Sequence, residues 1–260
     1  MNDCLVLVTG GTGHLGRLLV QALLGEGARV RVLTRRVPSS PQAGVEYAVG
    51  NYTDGTGLAE ALAGISRVIH TAHVLGDPLA DARGTLHLLE AARAAHRPHF
   101  TFVSIVRARQ ARAFGYYAGK VRGEELVEAS GLPALVFRAA QFHHFVDELL
   151  VGVDRLPWLP VPDGELQPVA VEEVAHELAW RALAGQRGTF DLAGPEVRRV
   201  SDLARAWLAA RGEGKRVLPV RLPLPLPVLR AMQQGRFIEP GATRGVITWE
   251  DFLREKAARG

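Results

Sequence analysis

Residues 5–16 read Leu5-Val6-Leu7-Val8-Thr9-Gly10-Gly11-Thr12-Gly13-His14-Leu15-Gly16, an aliphatic run that breaks into a glycine-rich turn. Four consecutive aliphatic residues bounded by a turn signal predict a strand buried on both faces. Over residues 15–24 apolar side chains recur at helical spacing, and Gly25 and Gly27 stop the pattern. Strand, tight turn and helix in that order open a β-α-β unit. Glycines at 10, 13 and 16, or at 11, 13 and 16, let backbone N–H groups approach a pyrophosphate, and the helix amino terminus adds its partial positive charge. In a chain with 28 glycines such a pattern alone is weak, and its place between strand and helix gives it force. The expected cofactor contacts here are Gly10, Thr12, Gly13, His14, Leu15 and Gly16.

Outward from this turn the same alternation continues. Further strands are predicted at residues 30–33, 45–49, 67–70, 100–104 and 134–137. Between them lie a short helix at 58–62, a long amphipathic one at 80–95 with Leu86 and Leu89 on its apolar side, and one at 114–129 ended by Ser130-Gly131. The fold class is therefore α/β, a doubly wound parallel sheet covered by helices. After about residue 140 prolines cluster at 157, 160, 162 and 168 and again at 219, 223, 225 and 227, breaking the rhythm into short pieces. Helices remain clear at 172–183, at 201–210 with Ser201 as N-cap, and at 248–258. The division expected is a nucleotide-binding region over 1–140 and a smaller, irregular α+β substrate or lid region over 141–260 that does not stand alone.

Composition narrows the function classes. The chain has 260 residues, 47% hydrophobic and 22% charged, and no apolar run approaches the roughly 18 residues of a membrane span. The lone Cys4 excludes an internal disulfide and a multi-cysteine metal site, and the first residues do not read as a secretory leader. The net charge of +4 is carried almost entirely by arginine, since Lys120, Lys215 and Lys256 are the only lysines. Without a block of like charges a nucleic-acid footprint is not indicated. These features predict a cytoplasmic protein, monomer or homodimer, acting on a small molecule, with no membrane or nucleic-acid partner.

The second strand selects the cofactor. An acid at its end bonds both ribose hydroxyls of NAD, whereas an arginine there receives the 2′-phosphate of NADP. Here the residues are Thr34-Arg35-Arg36, with no acid before Glu46, so Arg35 and Arg36 favour NADP(H) over NAD(H). Asn51 after the third strand has two readings, an amide that meets the adenine edge or a plain turn residue. His70-Thr71-Ala72-His73 closes the fourth strand, where Thr71 and Ala72 pass close to the cofactor. Two histidines invite a metal, but no third ligand stands at the right spacing, so none is expected.

Tyr116 and Lys120 lie four apart on a predicted helix and so share one face. A phenol with an ordinary pKa near 10 exchanges protons poorly at neutral pH unless a cation stabilises its phenolate. A lysine one turn on can do so while also bonding the nicotinamide ribose. The plainer reading is a surface tyrosine stacked on a lysine stem, yet the scarcity of both residue types makes the pairing informative. Ser104, ending the fifth strand, is placed to polarise a substrate carbonyl beside Tyr116.

Together these stretches resemble the short-chain dehydrogenase/reductase superfamily, and within it the atypical, NmrA-like NAD(P)-binding branch with its Rossmann fold. The resemblance rests on Thr9 to Gly16, Thr34-Arg35, Gly50 to Asp54, Phe102-Val103-Ser104, Tyr116 with Lys120, Glu124-Glu125, Ser130 to Pro133 and Arg138 to Phe142. It continues through Gln167-Pro168-Val169, Ala193 to Glu196 and Trp249 to Phe252. It implies that the glycine turn holds the pyrophosphate, that Arg35 holds the 2′-phosphate and that the segment after the sixth strand lies near the nicotinamide. The sequence departs from the pattern in three places. The only asparagines are Asn2 and Asn51, neither placed to complete a catalytic tetrad; Asn51 stands where an acid is common; and Ala139 replaces a usual proline.

The expected activity is an NADP(H)-dependent oxidoreductase acting on a small carbonyl or quinone-like compound, with Tyr116 exchanging the proton, Lys120 lowering its pKa and Ser104 holding the oxyanion. Gln141, Phe142 and His143 are the candidates for contacting substrate. The competing class is an NADP(H)-binding sensor or regulator with little catalysis, and an epimerase that recycles its bound cofactor ranks below both.

Overall fold

The structure is a computed structural model that describes residues 4–74, 76–113, 115–221 and 231–259. Prolines 223, 225 and 227, and the first residue of the helix expected from 114, lie outside the described residues. The chain divides into two compact units, the first comprising residues 1–104, 115–138 and 174–190, the second 105–114, 139–173 and 191–260.

In the first unit β1 (Leu5–Thr9) is buried along its whole length, as an aliphatic strand covered on both faces must be. It pairs in parallel with β2 (Arg29–Thr34) on one side and with β4 (Arg67–His70) on the other. β3 (Val45–Val49) extends β2, and β5 (His99–Ile105) extends β4, again in parallel. With β6 (Ala134–Ala139), β9 (Gly188–Ala193) and β12 (Thr243–Arg244) the sheet has eight strands in the order β12-β9-β6-β5-β4-β1-β2-β3. Strand order reverses between β1 and β4, and a doubly wound sheet of this Rossmann type binds ligands in the crevice that opens at such a switch point.

The helices of this unit are α1 (His14–Gly25), α2 (Leu58–Leu62), α3 (Pro78–Ala94), α4 (Gly115–Ala129) and most of α6 (Val171–Leu183). α3 starts two residues earlier than its apolar pattern predicts because Asp77 accepts from the Leu79 and Ala80 N–H groups and Pro78 fits the first turn. Leu86, expected on its apolar side, is 38% exposed, while Leu88 and Leu89 enter the core with Phe100, Phe102, Ile65 and Val136. Glycines let α3 and α4 press against their neighbours. A Cβ on Gly84 would lie 2.5 Å from the Tyr52 ring, and one on Gly123 would lie 2.3 Å from the Phe102 ring.

The second unit holds α5 (His143–Val153), α7 (Val200–Ala210), α8 (Trp249–Arg259) and two small sheets. β7 (Leu159–Pro162) runs parallel to β11 (Val217–Val220), and β8 (Glu165–Leu166) antiparallel to β10 (Arg198–Arg199). Strands of two to four residues are too short to show a period, which is why none was legible. Buried indoles pin the helices: Trp207 donates to Asp147 at 2.8 Å and Trp249 to the Leu203 carbonyl at 3.0 Å. Ser201 is not the N-cap of α7. Val200 is already helical and buried, its N–H bonds the Gly164 carbonyl at 2.9 Å, and the cap position falls to Arg199 without a side-chain bond.

Gly123→Ala is expected to lower stability by about 1–3 kcal/mol despite its better helix propensity, because the added methyl overpacks Phe102. Gly25→Ala, with no atom within 4 Å of the new methyl, should be neutral or slightly stabilising. Urea denaturation of both variants checks the contrast.

Candidate active site

The β1–α1 turn is closed by backbone contacts alone. The Gly13 N–H bonds the Gly10 carbonyl at 2.9 Å, and the Arg17 N–H bonds that of Gly13 at 3.0 Å. Gly10 has φ +72°, and a Cβ there would sit 2.7 Å from the Ala72 nitrogen; one on Gly16 would sit 2.0 Å from the Gly10 oxygen. α1 begins at His14 with Gly13 as N-cap and no capping side chain. Thr12, Gly13 and His14 are exposed and Leu15 is half-buried. A crowded glycine turn under an uncapped helix terminus fits a dinucleotide pyrophosphate, to whose oxygens the terminal N–H groups would donate.

A buried relay fixes the strands on either side of the crevice. Thr85 donates to the Asp81 carbonyl at 3.0 Å, so its oxygen receives the His70 Nε2–H at 3.1 Å. His70 Nδ1 then accepts from the Thr9 hydroxyl at 2.6 Å. Burial drives the His70 pKa down to about 3, with Lys120 and His73 adding to the effect, so the ring is neutral. Both ring nitrogens are thus occupied by threonines, and no group of three metal-ligating side chains comes together among the described residues. Thr71 donates to the Thr9 carbonyl at 2.7 Å and the Ala72 N–H approaches the Thr9 hydroxyl at 3.4 Å, tying the β4 exit to the end of β1.

Beyond β2 the Arg35 and Arg36 side chains are exposed, and no carboxylate pairs with either among the described residues. Glu46, the first acid after β2, is held instead by Arg29 at 2.8 Å and by the Arg31 fork at 2.9 and 3.1 Å. Asn51 follows its turn reading: its oxygen accepts from the Thr53 N–H and hydroxyl, and its amide donates to Asp54 at 2.8 Å.

Tyr116 and Lys120 stand one turn apart on α4, Lys120 buried and Tyr116 half-buried. The Tyr116 ring meets His73 edge-on at 5.4 Å and Tyr117 at 5.8 Å. Lys120 is 3% exposed, its ammonium donating to the Val103 carbonyl at 3.1 Å and lying 5.2 Å from the centre of the Phe102 ring. Burial, followed by Tyr117 and Asp81, pushes the Tyr116 phenol up to about 12. The shift is opposite in direction to the one expected from Lys120. Burial also lowers the Lys120 pKa, against the pull of Asp81 and then Glu124.

Ser104 is placed differently from its expected role. It is buried, and its hydroxyl donates to Glu124 at 2.5 Å. Glu124 also receives both arms of the Arg138 guanidinium at 3.0 and 2.7 Å, a bidentate pair that staples α4 to β5 and β6. Asp81 on α3 was not singled out from the sequence. It is buried, with Oδ1 accepting from the Tyr52 hydroxyl at 3.1 Å and the Val74 N–H at 3.0 Å, while Oδ2 lies 3.3 Å from where a Gly119 Cβ would be. No local signal marks an acid whose partners lie on three different segments.

In the second unit a backbone bridge to Val169 fixes Gln141 and His143 on either side of Phe142. The Gln141 amide is buried with neither end bonded. His143 packs against Trp249 and Phe252 at 5.7 and 5.4 Å, and burial takes its pKa down to about 4. Phe142 lies against His144.

A Rossmann sheet with this turn defines a nucleotide-binding protein, and comparison with known proteins gives its family. Residues 10–148 match the NAD(P)H-binding family. The chain belongs to that family, in agreement with the short-chain dehydrogenase/reductase resemblance of its sequence. A ceramide reductase of Caulobacter vibrioides is 32% identical over 209 residues, 75% of this chain and 65% of that protein. A photosystem II assembly factor of Cyanophora paradoxa is 31% identical over 53% of this chain and 45% of its own. The chain thus spans less than two thirds of the length of these curated relatives. An NADPH-dependent quinone oxidoreductase of Escherichia coli shares the fold with a TM-score of 0.84 at 16% identity, covering 97% of this chain and 99% of that one. A nucleoside-diphosphate-sugar epimerase of Staphylococcus aureus does so with a TM-score of 0.83 at 18% identity, over 96% and 99%.

Among the described residues no helix is long and apolar enough to cross a membrane. Ser104→Ala is expected to cost about 1.5–3 kcal/mol of stability by leaving a buried carboxylate one donor short, which a denaturation curve reads directly.

Proposed function

We propose that the protein is an NADP(H)-dependent oxidoreductase that reduces a small carbonyl or quinone-like substrate. The observation that carries this reading is the shared placement of Tyr116 and Lys120 on one face of α4, with Lys120 buried against β5. When bound, the cofactor supplies the hydride. The α1 terminus and glycine turn would hold its pyrophosphate, and the unpaired guanidinium of Arg35, with Arg36, its 2′-phosphate. A phenol raised to about 12 stays protonated at neutral pH, which suits the donor role in reduction: the Tyr116 O–H gives its proton to the substrate oxygen. Lys120 offers its ammonium to the resulting phenolate and to the nicotinamide ribose. Relatives named as a ceramide reductase and a quinone oxidoreductase agree with a reductive role.

One observation favours a second reading, a cofactor-binding regulator: the hydroxyl expected to hold an oxyanion, that of Ser104, is engaged by Glu124. NADPH oxidation against a panel of aldehydes, ketones and quinones separates the two. Wild type should turn over at least one acceptor, and Tyr116→Phe should lose about 100-fold or more in kcat with NADPH affinity unchanged. Binding without turnover of any acceptor would give the case to the regulator. For cofactor choice, Arg35→Ala should weaken NADPH by about 10- to 100-fold and leave NADH nearly unaffected, by fluorescence titration. Equal losses for both would remove the 2′-phosphate assignment.

A further inference from the structure

Burying an ammonium among aromatic rings requires compensation, and hydrogen bonding to one carbonyl is little for a group with three donors. The groups that face Lys120 come from four elements. β5 contributes the Val103 carbonyl and the Phe102 ring; β4 and the residues after it contribute His70 and His73, both driven toward neutrality by burial. α4 contributes Glu124, and α3 contributes Asp81. The two carboxylates differ in what else they hold. Glu124 is matched by its own cation, Arg138, in a bidentate pair. The donors bonded to Asp81, the Tyr52 phenol and the Val74 N–H, are both neutral, and its second oxygen is turned to α4 at Gly119, the residue before Lys120.

We propose that Asp81 is a positioning residue of the Tyr116–Lys120 pair, the buried carboxylate whose charge keeps Lys120 protonated. The proposal rests on the catalytic reading of that pair and adds to it the source of its charge. The same contacts join three pieces of the site. Through Tyr52 the carboxylate reaches the segment after β3, through Val74 the one after β4, and through Gly119 the helix that carries the pair. Asp81 therefore orders the frame and tunes the cation together. The only other lysines, Lys215 and Lys256, are in ion pairs with Asp154 and Asp147, so they serve as internal references.

The test is a pH titration of the three lysine side chains by NMR with labelled lysine, on wild type, Asp81→Asn and Tyr52→Phe. Asp81→Asn keeps an acceptor for Tyr52 and Val74 but removes the charge; Tyr52→Phe removes a hydrogen bond and keeps it. The Lys120 midpoint should fall by about one pH unit or more in Asp81→Asn and stay in place in Tyr52→Phe, with Lys215 and Lys256 unmoved. A Lys120 midpoint unchanged in Asp81→Asn, or displaced equally in both variants, would overturn the proposal. Should Asp81→Asn fold too poorly to titrate, adding Lys120→Met should recover stability by removing the charge left uncompensated. A double variant no more stable than the single would overturn it as well. No turnover is needed for these readings, so a wild type inactive toward every acceptor would dismiss the oxidoreductase assignment and leave the Asp81 result standing.

Discussion

A buried ammonium is the group around which the first unit is arranged. Lys120 lies within the layer between the sheet and α4, where an unpaired charge would be expelled or neutralised. It is tolerated because a strand-end carbonyl accepts from it, an aromatic face lies beneath it, and carboxylates on two helices offset its desolvation. Close helix approach makes this possible. Gly119 lets Asp81 reach α4, Gly84 accepts the Tyr52 ring, and Gly123 lets α4 settle on Phe102. Larger residues at these points would push the helices outward and separate the charges.

The glycine turn is held with similar economy. Its backbone is so crowded that side chains at Gly10 and Gly16 would strike neighbouring backbone atoms, and the Thr9–His70–Thr85 relay keeps β1 and β4 in register beneath it. With both nitrogens of His70 bonded to threonine hydroxyls, the chain of contacts braces β1 against β4 and α3. The glycine turn and the surroundings of Lys120 are joined through α3, since Thr85 and Asp81 stand one turn apart on it.

Much of the first unit was legible because burial writes a period into sequence. β3, α2 and β4 begin and end where residues 45–49, 58–62 and 67–70 predict, and the other early elements differ by one or two residues. The Tyr116–Lys120 spacing also carried through, since four residues on a helix fix a common face. What was illegible depends on tertiary contacts. Ser104 and Glu124 stand twenty residues apart, and nothing local says that one will donate to the other. Asp81 resembles any helix-surface acid until Tyr52, Val74 and Gly119 close around it. Asn51 shows the opposite case: its plain turn reading is the one its bonds support, because Thr53 and Asp54 supply partners within three residues. Beyond residue 140 the second unit builds with two- to four-residue strands and indole anchors that leave no pattern.

The lysine shortage that made Lys120 conspicuous also makes it observable. With labelled lysine, three side-chain signals report the whole chain, and NADP⁺ can be added to saturation without any substrate. If Lys120 is the cation that meets the cofactor, its signal moves on titration while those of Lys215 and Lys256 stay. Saturated binding that leaves the Lys120 signal in place would contradict the account.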